Sequence, residues 1–275
     1  MKKRGFTLVE LIAVIVLLSA ILLIIIPVVE KSLKEGKQQL FNNQIESIKT
    51  SLATWASENK PKNGETYYLT LSQLKKEGLV EHDLKNPVTD EYLANDMILK
   101  VINQNDIITY EVLTDTGSCK SDYIDIPKID VINIVNTEIN SSYYDTMATA
   151  KDVSGNLLNN VTSSGDVDTT KLGSYYITYS VSLDGKCNSS IKNVVVVDTT
   201  SPVINFATPE LTINLSEINT YDFLSDVTVT DNSNVEPTIL VEKNFAAIKG
   251  SYSIKYIATD SSGNTTTKLR KVTVK

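Results

Sequence analysis

The sequence predicts an α+β N-terminal part, in which one long helix precedes a small antiparallel sheet, followed by two all-β sandwiches. Three observations predict this fold class. Residues 6–29 are almost wholly apolar and continue into an amphipathic stripe that ends before residue 60. Residues 97–113 contain two β-rich runs around a short polar turn. Residues 121–275 repeat themselves with an offset of 77 residues.

The composition of the 275 residues argues against an enzyme. There is one histidine, His82, and there are two cysteines, so a zinc site or a catalytic triad would need nearly all of them, at spacings that fit neither. No glycine pattern typical of nucleotide binding occurs. We therefore expect no catalytic residues, no metal site and no cofactor.

The net charge of −7 is unevenly distributed along the chain. Residues 1–31 carry a balance of +2, so the remaining 244 residues carry −9. An acidic body repels phosphate groups, and we expect no nucleic-acid binding by the bulk surface.

The first thirty residues predict a membrane helix. The 24 residues from Phe6 to Val29 would form about 36 Å of helix, enough to cross a bilayer core of about 30 Å. The basic residues 2–4 should stay in the cytoplasm, which leaves the rest of the chain outside. A secretory signal peptide would have a shorter apolar core and a small-residue cleavage site. A plain anchor does not explain Glu10, since a carboxylate inside an apolar helix costs about 2.5–3.5 kcal/mol.

The segment Lys2-Lys-Arg-Gly-Phe-Thr-Leu-Val-Glu10 resembles the N-terminus of bacterial type IV pilins and pseudopilins. The resemblance implies that a prepilin peptidase cuts between Gly5 and Phe6 and then N-methylates Phe6. It also implies that Glu10 pairs with the N-terminal amine of a neighbouring subunit during assembly, and that Pro27 kinks the helix. An unprocessed anchor is the alternative. We expect a leader at residues 1–5 and a transmembrane and stalk helix at 6–59.

An apolar stripe predicts that the helix continues past the membrane and packs against a head. Asn59-Lys-Pro61 then ends the helix. Trp55 is interpreted as a core residue of the head, not as part of a ligand site. The stripe consists of Leu33, Leu40, Phe41, Ile45, Ile48, Leu52 and Trp55.

Residues 60–118 predict a small head. A short strand at 66–69 precedes Thr70-Leu-Ser-Gln73, which has the form of a capping box and opens a short helix. Residues 97–103 and 107–113 predict a hairpin. This order of elements resembles the pilin head, and residues 79–92 are similar to pseudopilins of Gram-positive bacteria. His82 lies there and is interpreted as a solvated loop residue.

The C-terminal repeat resembles the bacterial Ig-like domains found in tandem on Gram-positive surface proteins. Tyr144-Asp145 recurs as Tyr221-Asp222, and Gly173-Ser-Tyr175 recurs as Gly250-Ser-Tyr252. The resemblance implies two β-sandwiches, which we place at residues 121–198 and 199–275.

Two further residue groups carry expectations. Aspartates in polar loops suit calcium, but the same residue types dominate turns, and the turn interpretation is favoured. The two cysteines, Cys119 and Cys187, lie beyond the membrane helix on the side where disulfides persist. They predict one bond that pins the head to the first Ig-like unit, and two free thiols are the alternative. The aspartates are Asp152, Asp184, Asp231 and Asp260.

These features predict a structural subunit of a type IV pilus or related filament, stored in the membrane and assembled after cleavage. The bulk of the Ig-like units favours a minor or surface-adhesive pilin. The alternatives are an Ig-like adhesin that stays anchored without polymerising, and a pseudopilin of a DNA-uptake or type II secretion-like machine. Expected partners are other pilin subunits, the prepilin peptidase, the assembly machinery, the lipid bilayer and a host or surface receptor. The protein would be a single-pass membrane protein that later joins an extracellular filament.

Overall fold

The structure is a computed structural model that describes residues 7–114, 117–243 and 248–275. Gly5 and Phe6 lie outside the described residues. The chain divides into two compact units. The first comprises Met1–Val131, Ala148–Ser163 and Thr178–Ile191, and the second comprises Ile132–Met147, Ser164–Ile177 and Lys192–Lys275.

The predicted long helix is present as α1, Leu8–Glu58. It begins at a capping box and ends at Asn59, whose N–H donates to the Trp55 carbonyl. The helix passes through Pro27 without interruption. Ile48, Leu52 and Trp55 are almost fully buried. The predicted stripe is wrong at its start, since Leu33 and Leu40 are exposed, because the chain folds back onto α1 only near its C-terminal end.

The head sheet follows α1 in the first unit. Its strands lie in the order β1-β2-β3, and each pair is antiparallel. The turn between the last two strands holds Asn105 and Asp106 at positive φ, the backbone that a two-residue hairpin loop requires. The predicted strand, capped helix and hairpin are all present. The elements are β1 (Thr66–Thr70), α2 (Leu71–Lys76), β2 (Ile98–Gln104) and β3 (Ile107–Val112).

The first Ig-like copy forms two sheets, with strand orders β4-β6-β7 and β5-β10-β9-β8. The turn between its two longest strands is made by Asp184 and Gly185, both at positive φ. The strands are β4 (Lys128–Asp130), β5 (Ile134–Glu138), β6 (Thr149–Lys151), β7 (Leu157–Leu158), β8 (Thr162–Ser164), β9 (Gly173–Leu183) and β10 (Lys186–Val197).

The second copy, within the second unit, also forms two sheets, with orders β11-β13 and β12-β16-β15-β14. A short 3₁₀ helix, Leu215–Glu217, lies between β12 and β13. The strands are β11 (Val203–Phe206), β12 (Glu210–Ile213), β13 (Val227–Thr230), β14 (Thr238–Glu242), β15 (Gly250–Thr259) and β16 (Thr265–Val274).

Strand pairing confirms the sequence repeat. The last strand of each copy, β10 or β16, pairs in parallel with an early strand, β5 or β12. Tyr179 and Tyr256, which the repeat aligns, are both fully buried. The fold class is therefore a long helix and a small antiparallel sheet followed by two Ig-like copies.

The core of the second copy contains a buried ion pair. Arg270 is 1% exposed, and its Nη1 donates to Asp226 Oδ1 at 2.8 Å. The hydrogen bonds from Arg270 hold the pKa of Asp226 below its ordinary value, against the effect of burial. The guanidinium also lies 5.0 Å from the centre of the Phe206 ring. These contacts satisfy a charge that would be costly to bury alone.

Candidate functional site

The N-terminal turn of α1 positions Glu10. The Thr7 N–H and hydroxyl donate to the Glu10 carboxylate at 2.8 and 2.9 Å, and the Glu10 N–H donates to Thr7 Oγ1 at 3.3 Å. This reciprocal pattern is a capping box. Glu10 is therefore held close to the start of the helix, where the positive end of the helix dipole favours a carboxylate.

The N-terminal half of α1 presents an uncovered apolar surface. Its large apolar side chains, from Leu8 to Val29, are 43–77% exposed. Among the described residues α1 is the one helix long and apolar enough to cross a membrane. An apolar surface of this length needs lipid or other helices around it. Within that surface Pro27 removes one backbone N–H from the helix ladder, and a kink there stays a prediction.

A disulfide lies within the first unit. Cys119 and Cys187 are bonded, with their Cα atoms 5.7 Å apart. Cys187 follows the turn between β9 and β10, and the Cys119 carbonyl accepts a hydrogen bond from the Asn95 N–H at 2.8 Å. The bond therefore ties the hairpin of the first Ig-like copy to the segment that follows the head sheet.

Hydrogen bonds from α2 make a second connection in the first unit. The Gln73 side chain accepts from the Ile191 N–H at 2.9 Å and donates to the Ile191 carbonyl at 3.0 Å. The Thr70 hydroxyl donates to the Ser189 carbonyl at 2.8 Å. The sequence predicted Thr70 and Gln73 only as a capping box. Nothing in the spacing shows that the same side chains also bind β10, 118 residues away.

Glu138 makes a third connection, within the second unit. Its carboxylate accepts from the N–H and hydroxyl groups of Thr199 and Thr200, and from Asn232 Nδ2 at 3.0 Å. Burial alone would raise the pKa of Glu138, but these hydrogen bonds outweigh it and lower the pKa to about 2. Asn140 Nδ2 also donates to the Asn232 carbonyl at 2.8 Å. The end of β5 is thus fixed to the linker after β10 and to a loop of the second copy.

Three aspartates converge beside this connection. One carboxylate oxygen from each of Asp198, Asp231 and Asp260 lies within 4.8 Å of the others. Burial, together with the charges of the other two, raises the pKa of Asp198. Among the described residues this is the group that could hold a metal ion. These carboxylates also cap turns, since Asp260 Oδ1 accepts from the Ser262 and Asn264 N–H groups.

The structure brings together two of the four aspartates considered in the sequence, Asp231 and Asp260. It adds Asp198, the last residue of the range 121–198 assigned to the first Ig-like copy. Asp152 instead closes its own loop with Asn156 at 2.8 Å, and Asp184 forms the β9–β10 turn. Turn formation accounts for both of these aspartates.

Two family models match the chain. The prokaryotic N-terminal methylation motif matches residues 1–26, and the bacterial surface protein Ig-like domain matches residues 129–196. The chain therefore carries the N-terminal signal of type IV pilins and a bacterial surface Ig-like domain, as the sequence resemblances indicated. No curated protein matches the chain.

Solved structures give only distant similarity. The M60 catalytic domain with CBM51 domains of Clostridium perfringens ZmpB is 13% identical, with a TM-score of 0.33; the match covers 65% of this chain and 33% of that one. A lipoprotein of Bacteroides thetaiotaomicron is 10% identical, with a TM-score of 0.25, over 53% and 99% of the two chains. The fibronectin(III)-like modules of Clostridium thermocellum CbhA are 19% identical, with a TM-score of 0.22, over 55% and 94%.

The disulfide predicts protection of both thiols. Alkylation of the folded, untreated protein should modify neither Cys119 nor Cys187, and reduction followed by unfolding should expose both. The bond closes a loop with a sequence separation of 68, so replacing both cysteines with serine should lower the free energy of unfolding by about 2–4 kcal/mol. Two reactive thiols in the untreated protein would contradict the bond.

The Glu138 connection predicts a defined response to acid. Because its pKa is lowered, the stability that Glu138 adds is present above about pH 4.3, the unfolded value, and is lost as the pH falls towards about 2. Glu138→Gln should speed amide hydrogen exchange at Thr199 and Thr200 at neutral pH, since a neutral amide oxygen accepts their N–H groups more weakly than a carboxylate oxygen does. The NH₂ group of Gln also cannot accept from the Thr199 hydroxyl as Oε2 does. The difference from the wild type should shrink between these two pH values.

The exposed Glu236 provides a matched control, and Glu236→Gln should leave exchange at Thr199 and Thr200 unchanged. A difference between Glu138→Gln and the wild type that stays constant from neutral pH to about pH 2 would show that the carboxylate charge is not what holds the connection.

Proposed function

We propose that this chain is a structural subunit of a type IV pilus or related filament. A prepilin peptidase cuts it between Gly5 and Phe6 and methylates Phe6, after which it leaves the membrane for the filament. The observation that carries this proposal is the N-terminal methylation motif on a helix whose apolar surface is uncovered and contains one carboxylate, Glu10. Other pilin subunits and the assembly machinery are the partners that this mechanism requires.

The assembly step follows from the cost of burying Glu10. In the single chain the carboxylate has hydrogen bonds from Thr7 but no cation within the capping box. Cleavage at Gly5 creates a new amine on Phe6, and a neighbouring subunit can bring its amine to Glu10 as the helices pack together. The pair then offsets the desolvation of both charges, and an unmatched subunit is disfavoured.

The two Ig-like copies give the subunit a surface role. They contribute most of the residues beyond the head. Their volume would hinder the close packing that a major filament subunit requires. A minor, low-copy subunit that displays these units for adhesion to a host or another surface fits this arrangement best. In this proposal the Ig-like copies lie on the exported side of the membrane, where disulfides persist. The disulfide between Cys119 and Cys187 agrees with that location.

Two other functions use the same parts differently. A non-polymerising anchored adhesin needs the apolar helix and the Ig-like units, but it has no use for Glu10, whose burial costs about 2.5–3.5 kcal/mol. A pseudopilin of a DNA-uptake or secretion-like machine needs Glu10 and processing as well. It differs from a pilin in the place where its short filament acts. The protein composition of purified filaments distinguishes a pilin from such a pseudopilin.

The proposal predicts the behaviour of Glu10 variants. Glu10→Val should insert in the membrane and be cut between Gly5 and Phe6 as in the wild type, because it removes a charge from the apolar helix. Its recovery in sheared filaments should nevertheless fall at least about tenfold, since the neighbour's amine is left unmatched. Glu10→Asp should be intermediate, because the charge survives on a shorter side chain.

Glu35→Val is the matched control, since Glu35 is an exposed carboxylate on the same helix beyond the apolar segment. It should incorporate normally. Normal incorporation of processed Glu10→Val into filaments would contradict the pairing and leave Glu10 without a role in assembly.

A further inference from the structure

A cavity of about 500 Å³ opens in the first unit, away from the N-terminal helix surface. It lies beside α2 and β4, and its volume falls in the range of about 300–1,000 Å³ that small-molecule sites occupy. Its walls combine apolar side chains with polar and charged ones. Ile126, Ile129 and Val153 supply apolar surface, and Tyr123 supplies an aromatic ring.

The cavity is positive, although most of the chain is acidic. Lys75, Lys76 and Lys128 line it, against one lining carboxylate, Asp125. Lys76 Nζ also lies 3.4 Å from Asp130 Oδ1, an exposed pair that solvent screens. Residues 32–275 together carry a charge of −9, so a local excess of cations is a departure from the surrounding surface. A lining of this charge attracts anions.

Strand pairing adds a fourth cation next to the cavity. Lys128 of β4 lies directly opposite Lys151 of β6 in the antiparallel register. Like charges in directly opposite positions destabilise a strand pair. Both side chains are exposed. An anion bound beside Lys128 would relieve this repulsion.

A buried lysine also lines the cavity. Lys75 is fully buried, and its Nζ donates to Asn95 Oδ1 at 2.9 Å and lies 5.6 Å from the centre of the Tyr123 ring. Burial lowers the pKa of Lys75 to about 8, so it is still largely protonated at neutral pH. The Tyr123 ring also packs against His82, with 4.8 Å between ring centres, which holds it in place at the cavity wall.

We propose that this cavity binds an acidic saccharide, a sugar unit that carries a carboxylate. The carboxylate faces Lys76 and Lys128, the C–H face of the sugar ring packs on apolar and aromatic walls, and the hydroxyls donate to Asp125. The volume is larger than an inorganic anion needs, and the acidic remainder of the chain disfavours a nucleic acid. This inference rests on the proposed function for its biological role, because it names the ligand class of the adhesive surface.

The test uses full-length protein in an uncharged polyoxyethylene detergent, whose head group contains no sugar. Digalacturonic acid is titrated by calorimetry at physiological ionic strength, and its methyl ester serves as the uncharged ligand of nearly the same shape. Digalacturonic acid should bind, and the ester should bind at least about tenfold more weakly. Absence of binding by digalacturonic acid, or equal binding by the ester, would overturn the proposal.

Charge reversal locates the site. Lys128→Glu should weaken binding at least about tenfold, while its thermal unfolding midpoint equals or exceeds that of the wild type, because a Glu–Lys pair replaces the Lys–Lys pair with Lys151. Lys60→Glu, an exposed lysine of the same unit outside the cavity lining, should bind as the wild type does. Lys128→Gln should be intermediate. Equal affinities for the Lys128 and Lys60 variants would place any binding elsewhere.

Saccharide binding is measured on unassembled protein. Binding can therefore be absent while the protein still incorporates into filaments. A failure of Glu10→Val to alter filaments would in turn leave the cavity result unaffected. The two proposals are therefore separable by experiment.

Discussion

An apolar helix surface that its own chain leaves uncovered is the constraint on which the rest of the molecule depends. From Leu8 to Val29 the apolar side chains of α1 need lipid or neighbouring helices around them. The one carboxylate on this surface, Glu10, is tolerable when hydrogen bonds or an opposite charge satisfy it. Thr7 supplies the hydrogen bonds within the chain, and a neighbour's amine would supply the charge. In the proposed filament subunit, the membrane before assembly and the neighbouring helices after it would both meet this requirement.

Beyond the helix, the exported part is held together by few but well-satisfied connections. In the first unit a disulfide and the paired hydrogen bonds between Gln73 and Ile191 join the head to the first Ig-like copy. In the second unit Glu138 accepts hydrogen bonds from the linker and from the second copy. Each connection joins residues far apart in the chain and is buried, covalent or charge-assisted, which suits modules that must keep their form outside the cell.

The sequence predicted what local patterns determine. The capped start of α2, the β2–β3 hairpin and the 77-residue repeat depend on neighbouring residues or on duplication, so they could be read directly. The contacts of Gln73 with Ile191 and of Glu138 with Asn232 could not, because they join residues 118 and 94 positions apart. The exposure of Leu40 was also missed, since an apolar stripe does not indicate where its packing partner begins.

The most direct test of the filament account is the mass of the mature N-terminus. Intact-mass and peptide analysis of protein isolated from its native membrane should show a chain that begins at Phe6 with a methylated amine. This methylated chain forms when the prepilin peptidase recognises the leader at residues 1–5 and the N-terminal methylation motif, as proposed. A chain that begins at Met1, with residues 1–5 intact in both membrane and surface fractions, would contradict the account.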